Sequence, residues 1–166
     1  MANIRPMRAG DLPAVLALQA DGYPAALHDA APAFLSRMAM APEMNLVAHD
    51  DAGLAGYLVS HPWIGASPPP VDTEIAPPAA ADCWYVHDLS VASRARGSGL
   101  AQALIAAGAA AARSVGLARS ELVAVEGAAP FWAKQGWRAP SRMDPALAAK
   151  VAAYGASAVF MTKAPI

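Results

Sequence analysis

The sequence predicts a single α/β domain spanning residues 1–166, with a mixed central sheet: an antiparallel N-terminal meander, then a βαβ unit, with helices flanking both. Three observations predict it. Two apolar runs, Met44 to His49 and Leu54 to Ile64, are joined by Asp50-Asp51-Ala52-Gly53, a turn of the hairpin kind. A strand pattern rich in aromatic and β-branched residues, Trp84 to Val91, leads through a glycine-containing turn into a helical pattern, Leu100 to Ser114. A further strand, Leu122 to Val125, follows, and the intervening helix makes it a parallel return.

The remaining elements fill in around this frame. Asn3 to Met7 alternates polar and apolar residues, and Pro6 places it at a sheet edge or near a strand end. Asp11 suits a helix N-cap and Pro13 a first turn, with Leu12, Val15, Leu16 and Leu18 at helical spacing until Gly22-Tyr23-Pro24 ends the pattern. A second helical pattern, Phe34, Leu35 and Met38, lies between Pro32 and Pro42. Gly65 to Asp82 holds Pro68-Pro69-Pro70 and Pro77-Pro78 and reads as a long loop. In the helix from Leu100, the residues Leu100, Leu104 and Ile105 share a face with Ala107, Ala111 and Val115, and Gly116 closes its end. Ala128 to Gln135 is a short helix stopped by Gly136, Met143 to Tyr154 is helical after Pro145, and Ala158 to Lys163 is a last strand.

Composition excludes several classes of function. The 56% hydrophobic fraction rests on 44 alanines, and the longest apolar run, Leu100 to Ala112, is mostly alanine and is interrupted by Gln102 and Gly108. No stretch approaches the roughly 20 bulky apolar residues of a spanning helix, so no membrane partner is expected. A net charge of −1 without a dense basic run argues against nucleic acid. Cys83 is the single cysteine, and the N-terminus lacks the features of a signal peptide, so the chain is expected in the cytoplasm. His28, His49, His61 and His87 have no ligand-like spacing, and no metal is expected.

The segment that asks for a chemical explanation is Arg94-Ala95-Arg96-Gly97-Ser98-Gly99-Leu100-Ala101, between a strand and a helix. Glycines there permit positive φ and close backbone approach, while the helix start leaves N–H groups unpaired and partly positive. A phosphate is the natural partner. A P-loop is disfavoured because Leu100-Ala101 stands where Lys-Ser/Thr is needed, and a dinucleotide fingerprint because the third glycine is missing. A mere connection between strand and helix stays open as the plainer reading.

Arg94-x-x-Gly97-x-Gly99, preceded by Val86-His87-Asp88-Leu89-Ser90-Val91, resembles motif A of the Gcn5-related N-acetyltransferases. Downstream, Ala128-Ala129-Pro130-Phe131-Trp132-Ala133-Lys134-Gln135-Gly136-Trp137 is similar to the family's motif B. The resemblance implies acetyl-coenzyme A as co-substrate, its pyrophosphate on N–H groups from Arg96 to Ala101, with Arg94, Arg96, Gly97, Ser98, Gly99, Leu100, Ala101 and Trp132 as contacts. It implies a pantetheine arm lying along Leu89, Ser90 and Val91, and an oxyanion held by the Leu89 N–H. The reaction implied is acetyl transfer to a primary amine of a small molecule or a peptide, and a homodimer is compatible with it. Many members carry a tyrosine where this chain has Trp132, and an indole N–H is no proton donor at useful pKa. Tyr154 is one substitute for that acid. Departure of the thiolate unassisted is the other.

Asp88 and His87 alternate along their strand and so point to opposite faces, leaving only one to share a face with Leu89. A carboxylate within an apolar strand suits a base or a cation ligand, so Asp88 is the first catalytic candidate, ahead of His87 and of Glu126 at the end of the parallel strand. Each has a structural counterpart: a buried hydrogen bond for Asp88, a satisfied neighbour for His87, a solvated turn for Glu126. Trp84, Tyr85, Phe131, Trp132 and Trp137 are expected as core and cleft wall, and Cys83 as inert core. Acceptor choice is expected from Asp21 to Ala33 and from Trp137 to Tyr154, while Trp63 and the prolines beyond it either line the acceptor site or stiffen a surface loop. A non-catalytic acyl-coenzyme A sensor with the same fold is the rival reading.

Overall fold

The computed structural model describes residues 2–166. Its chain runs β1 (Asn3–Pro6), α1 (Leu12–Gly22), α2 (Ala31–Met40), β2 (Leu46–Asp50), β3 (Gly53–Trp63), β4 (Cys83–Val91), α3 (Leu100–Ser114), β5 (Ser120–Ala124), α4 (Ala129–Lys134), α5 (Pro145–Ala152) and β6 (Val159–Lys163). The six strands form one sheet in chain order, antiparallel throughout except for the pair β4 and β5, where α3 makes the crossover. Among the described residues, no helix is long and apolar enough to cross a membrane.

Two faces of the sheet are covered. On one, Leu104, Ile105, Ala109 and Ala112 of α3 pack with Leu58, Trp84, Val86 and Leu122, and Trp132 of α4 joins the same cluster. On the other, Val15 and Phe34 of α1 and α2 pack with Val47, Tyr57 and Val59. Farther along that face, Leu147 and Val151 of α5 meet Val123 and Phe160. The helical face of α3 differs from the expected one: Val115 is 62% exposed, and small residues, Gly108, Ala109 and Ala112, complete the buried stripe. The period of 3.6 carries the stripe through position 112, so an alanine-rich helix hides its true face among equivalent small side chains.

The close approach of α3 depends on Gly108. A Cβ at that position would lie 2.5 Å from Leu58 Cδ2 and 2.8 Å from Trp84 Cζ2, both in fully buried side chains. Overpacking of this kind costs about 1–3 kcal/mol, more than the ~1 kcal/mol alanine gains over glycine in a helix. Gly108→Ala is therefore expected to lower the melting temperature by a few degrees, read in a thermal scan. An unchanged or raised midpoint would show that α3 can slide away from the sheet at no cost.

Asp11 does not cap α1 with its side chain. Its carboxylate turns back to accept from Arg8 N at 2.8 Å and from both terminal nitrogens of Arg5 at 2.7 and 2.8 Å. A bidentate arginine outcompetes a single helical N–H for those oxygens.

Candidate functional site

The site starts where β4 and β5 part. They pair only at Trp84↔Ser120, Tyr85↔Glu121 and Val86↔Leu122, after which β4 runs on to Val91 and leaves a wedge. Ala92 N–H bonds the Ala55 carbonyl at 2.8 Å, so Ser90 also faces β3, and the backbone groups of Leu89 and Val91 face the wedge. The Tyr23 hydroxyl donates to the Leu89 carbonyl at 2.8 Å. The Leu89 N–H on the same side is left for another partner.

A register shift between Val59 and Ser60 passes the pairing from Asp88 to Val86 and leaves His87 unopposed. This bulge overturns the expected alternation. Leu89 packs on the α3 side of the sheet, whereas His87 and Asp88 both lie opposite, on the side of α1 and α2. Asp88 Oδ2 accepts from the Tyr57 hydroxyl at 2.6 Å, and burial pushes its carboxyl up to about 6 against the pull of that bond. His87 Nε2 lies 2.6 Å from Asp29 Oδ2, with both side chains buried. Burial works to raise the Asp29 carboxyl, but the hydrogen bond and charge of His87, with the Asp72 N–H, hold it below its ordinary value.

Two cavities meet at this wedge, sharing Tyr23, Leu89, Val125, Ala128 and Trp132 as walls. On one side lie the glycine turn and the start of α3. Gly97 and Gly99 hold φ of 75° and 84°. Among the described residues, the N–H groups of Gly97, Gly99, Leu100, Ala101 and Gln102 have no hydrogen-bond partner, whereas those of Arg96 and Ser98 bond the Ser93 and Ala95 carbonyls at 3.3 and 3.4 Å. The cradle therefore starts at Gly97 and reaches Gln102, which sequence reasoning missed. Arg96 lines this cavity, but Arg94 turns to the β2–β3 hairpin, its Nη2 on Asp50 Oδ1 at 2.8 Å and on the Leu54 carbonyl at 3.0 Å. The Ser98 hydroxyl is also spent within the turn, on the Ala95 carbonyl at 2.6 Å. Glu126, at φ 51°, lines this side, away from Asp88, as does Phe131.

On the other side, Asp29, His87, Asp88 and Tyr154 share a cavity with Leu27, Val71, Val123 and Val125. Tyr154 donates to the Pro69 carbonyl and lies 3.4 Å from the Tyr85 hydroxyl; burial pushes its phenol up to about 12. A phenol so committed and so weak protonates a thiolate only uphill. The proline-rich loop is a wall of this cavity: Asp72 N–H donates to Asp29 Oδ1 at 2.5 Å, and Asp72 Oδ1 accepts from Ala30 N at 2.8 Å. Trp63 serves the same loop by bonding the Ser67 carbonyl through its indole, while Trp84, Tyr85 and Trp137 are core. Cys83 is buried at the start of β4, opposite Trp63, its thiol pushed by burial up to about 12.

Tyr23 and Asp29 lie in the Asp21 to Ala33 segment expected to govern acceptor choice but were not singled out within it, and Tyr57 was not foreseen at all. Tyr23 sits in a Gly-Tyr-Pro helix stop, Asp29 in a segment without periodicity, and Tyr57 in a strand whose register against β4 crosses the long loop. None carries a local signal.

The arrangement suits one class of protein, in which an extended, phosphate-bearing ligand lies across a split parallel strand pair and presents its far end to an acidic cavity. The model of the acetyltransferase (GNAT) family matches residues 12–137, and the chain belongs to that family. No curated protein matches the sequence. Among solved structures, the chain is similar to Ard1 from Thermoplasma volcanium, with 14% identity over 99% of this chain and 98% of that one and a TM-score of 0.73. It is also similar to the GphF GNAT-like decarboxylase bound to isobutyryl-CoA, with 18% identity over 98% of each chain and a TM-score of 0.76. Naa20 from Chaetomium thermophilum with a bisubstrate analogue is 18% identical over 98% of this chain and 86% of that one, with a TM-score of 0.71. At these identities the likeness is one of fold.

Proposed function

We propose that the protein moves an acetyl group from acetyl-coenzyme A to the primary amine of an acceptor held beside Asp88. The observation that carries this reading is the set of unpartnered N–H groups of Gly97, Gly99, Leu100, Ala101 and Gln102, in a cavity that also takes in Leu89 and Val91 and that shares walls with the one holding Asp88. Diphosphate oxygens fit the first stretch and pantetheine amides the second, by strand addition.

The acceptor amine attacks the thioester carbon, the Leu89 N–H stabilises the oxyanion, and the carbon–sulfur bond breaks to release thiolate. The amine's proton passes to Asp88, whose carboxyl near 6 is ionised at neutral pH yet basic enough to accept it. The thiolate leaves without an acid, since the phenols of Tyr23 and Tyr154 are both raised by burial. Glu126 lies on the coenzyme side and His87 is committed to Asp29, so neither competes with Asp88 for this role. A sensor that only binds acyl-coenzyme A has no use for a buried carboxylate beside the thioester.

Two measurements test this. Coenzyme A and acetyl-coenzyme A at 100 times their dissociation constants are expected to stabilise the protein by about 2.7 kcal/mol in a melting scan, with NAD and ATP doing much less. Equal shifts from all of these ligands, or none from coenzyme A, would sink the coenzyme assignment. Thiol release with a panel of amines separates an enzyme from a sensor, because a sensor binds without turnover.

A further inference from the structure

The acceptor cavity carries a charge pattern that selects among amines. Its charged walls are Asp88 and the Asp29–His87 pair, and among the described residues no lysine or arginine lines it. Arg37, whose charge acts on both carboxylates, is fully buried outside the lining, its Nη1 bonding the carbonyls of Ala33 at 3.1 Å and Thr73 at 2.9 Å. Leu27, Val71, Val123 and Val125 form its apolar walls, and the hydroxyls of Tyr23 and Tyr154 are bonded to the Leu89 and Pro69 carbonyls. The proline-rich loop that supplies Val71 is tied down on both sides of it, Pro69 to Tyr154, Asp72 to Asp29 and Ala30, and Thr73 to Arg37.

From these walls we infer that the acceptor is a compact primary monoamine with an alkyl or arylalkyl body and no carboxylate. This rests on the acetyl-transfer reading for its setting, though its test does not. An ammonium group beside Asp88 is paired. A carboxylate on the neighbouring carbon, as in an α-amino acid, would be buried beside Asp88 and the Asp29–His87 pair with no lysine or arginine in the lining to receive it, and unpaired buried charge is among the costliest arrangements in a protein. Asp29 already holds His87 Nε2 at 2.6 Å and the Asp72 N–H at 2.5 Å, so a second ammonium at the far end of a diamine would instead face Leu27, Val71 and Val123.

Isothermal titration into coenzyme A-saturated protein at pH 8 decides the matter, with matched pairs differing by one carboxylate: 2-phenylethylamine against phenylalanine, and isoamylamine against leucine. Each amine is expected to bind more than 10-fold tighter than its amino acid, on the order of 100-fold, and tighter than putrescine or a short peptide with a free N-terminus. The inference is overturned if either amino acid binds within 10-fold of its amine, if putrescine or the peptide binds tighter than both monoamines, or if neither monoamine binds. Thiol release from acetyl-coenzyme A is followed on the same samples. Discrimination in binding without thiol release leaves the acceptor class standing and removes the transfer reading, so the two failures are distinct.

Discussion

Gly99→Val is expected to weaken coenzyme A binding at least about 100-fold while leaving the fold intact. Gly99 stands at φ 84°, directly before α3, and a Cβ there meets no protein atom within 4 Å. The space it would enter is that assigned to the diphosphate. Placing a β-branched residue in the left-handed region costs about 1–2 kcal/mol, so the melting temperature should fall by roughly 2–8 °C. Loss of binding far beyond that strain is the signature of a blocked cradle. Gly99→Ala bears similar backbone strain with a smaller side chain and should keep more of the affinity. If Gly99→Val binds coenzyme A as the parent does in calorimetry, the turn is a connection and nothing more.

Asp88→Asn should lower the rate on the preferred amine by a factor on the order of 100 with coenzyme A affinity unchanged, as expected for loss of a base or cation partner. In the parent, kcat/KM should fall as pH drops through about 6, where Asp88 takes up a proton, and the variant should lose that inflection. The same group makes a stability prediction of definite sign. Its folded pKa lies above the unfolded value near 3.8, so its stabilising contribution is present below that value and is lost as pH rises through about 6. At pH 8 the buried charge is a burden of up to about 3 kcal/mol, which Asn removes while still accepting from Tyr57. The variant should therefore melt above the parent at pH 8 and converge with it towards pH 4. An unchanged rate would move the role to His87 or Glu126, and a collapse of both stability and cofactor affinity would make Asp88 structural.

Legibility of the site differs between its halves for a physical reason. The glycine-turn side is built from consecutive residues, Gly97 to Gln102, whose character is set by local conformation: positive φ at two glycines and the unpaired donors of a helix start. Such features are written in a short stretch of sequence, whereas the bonds of the Arg96 and Ser98 N–H groups within the turn and of the Arg94 guanidinium to a hairpin distant in the chain are not. The side of Asp88 draws single residues from the α1–α2 connection, the proline-rich loop, β4, β5 and the turn after α5, with Tyr57 of β3 bonded to Asp88. Tyr57, Asp29 and Asp88 come together only once strands far apart in sequence are in register.

The sequence alone determined the order of elements, the hairpin between β2 and β3, the parallel return through α3 and the place of the glycine turn, because turn chemistry and hydrophobic period act over a few residues. Tertiary structure decided which way the side chains of β4 face. A bulge at His87 is a mismatch between two strands separated by the long loop, and no pattern within either strand announces it. By turning His87 and Asp88 to one side it pairs the first with Asp29 and the second with Tyr57, and the burial that follows moves the Asp88 carboxyl into the range where it can exchange a proton near neutral pH.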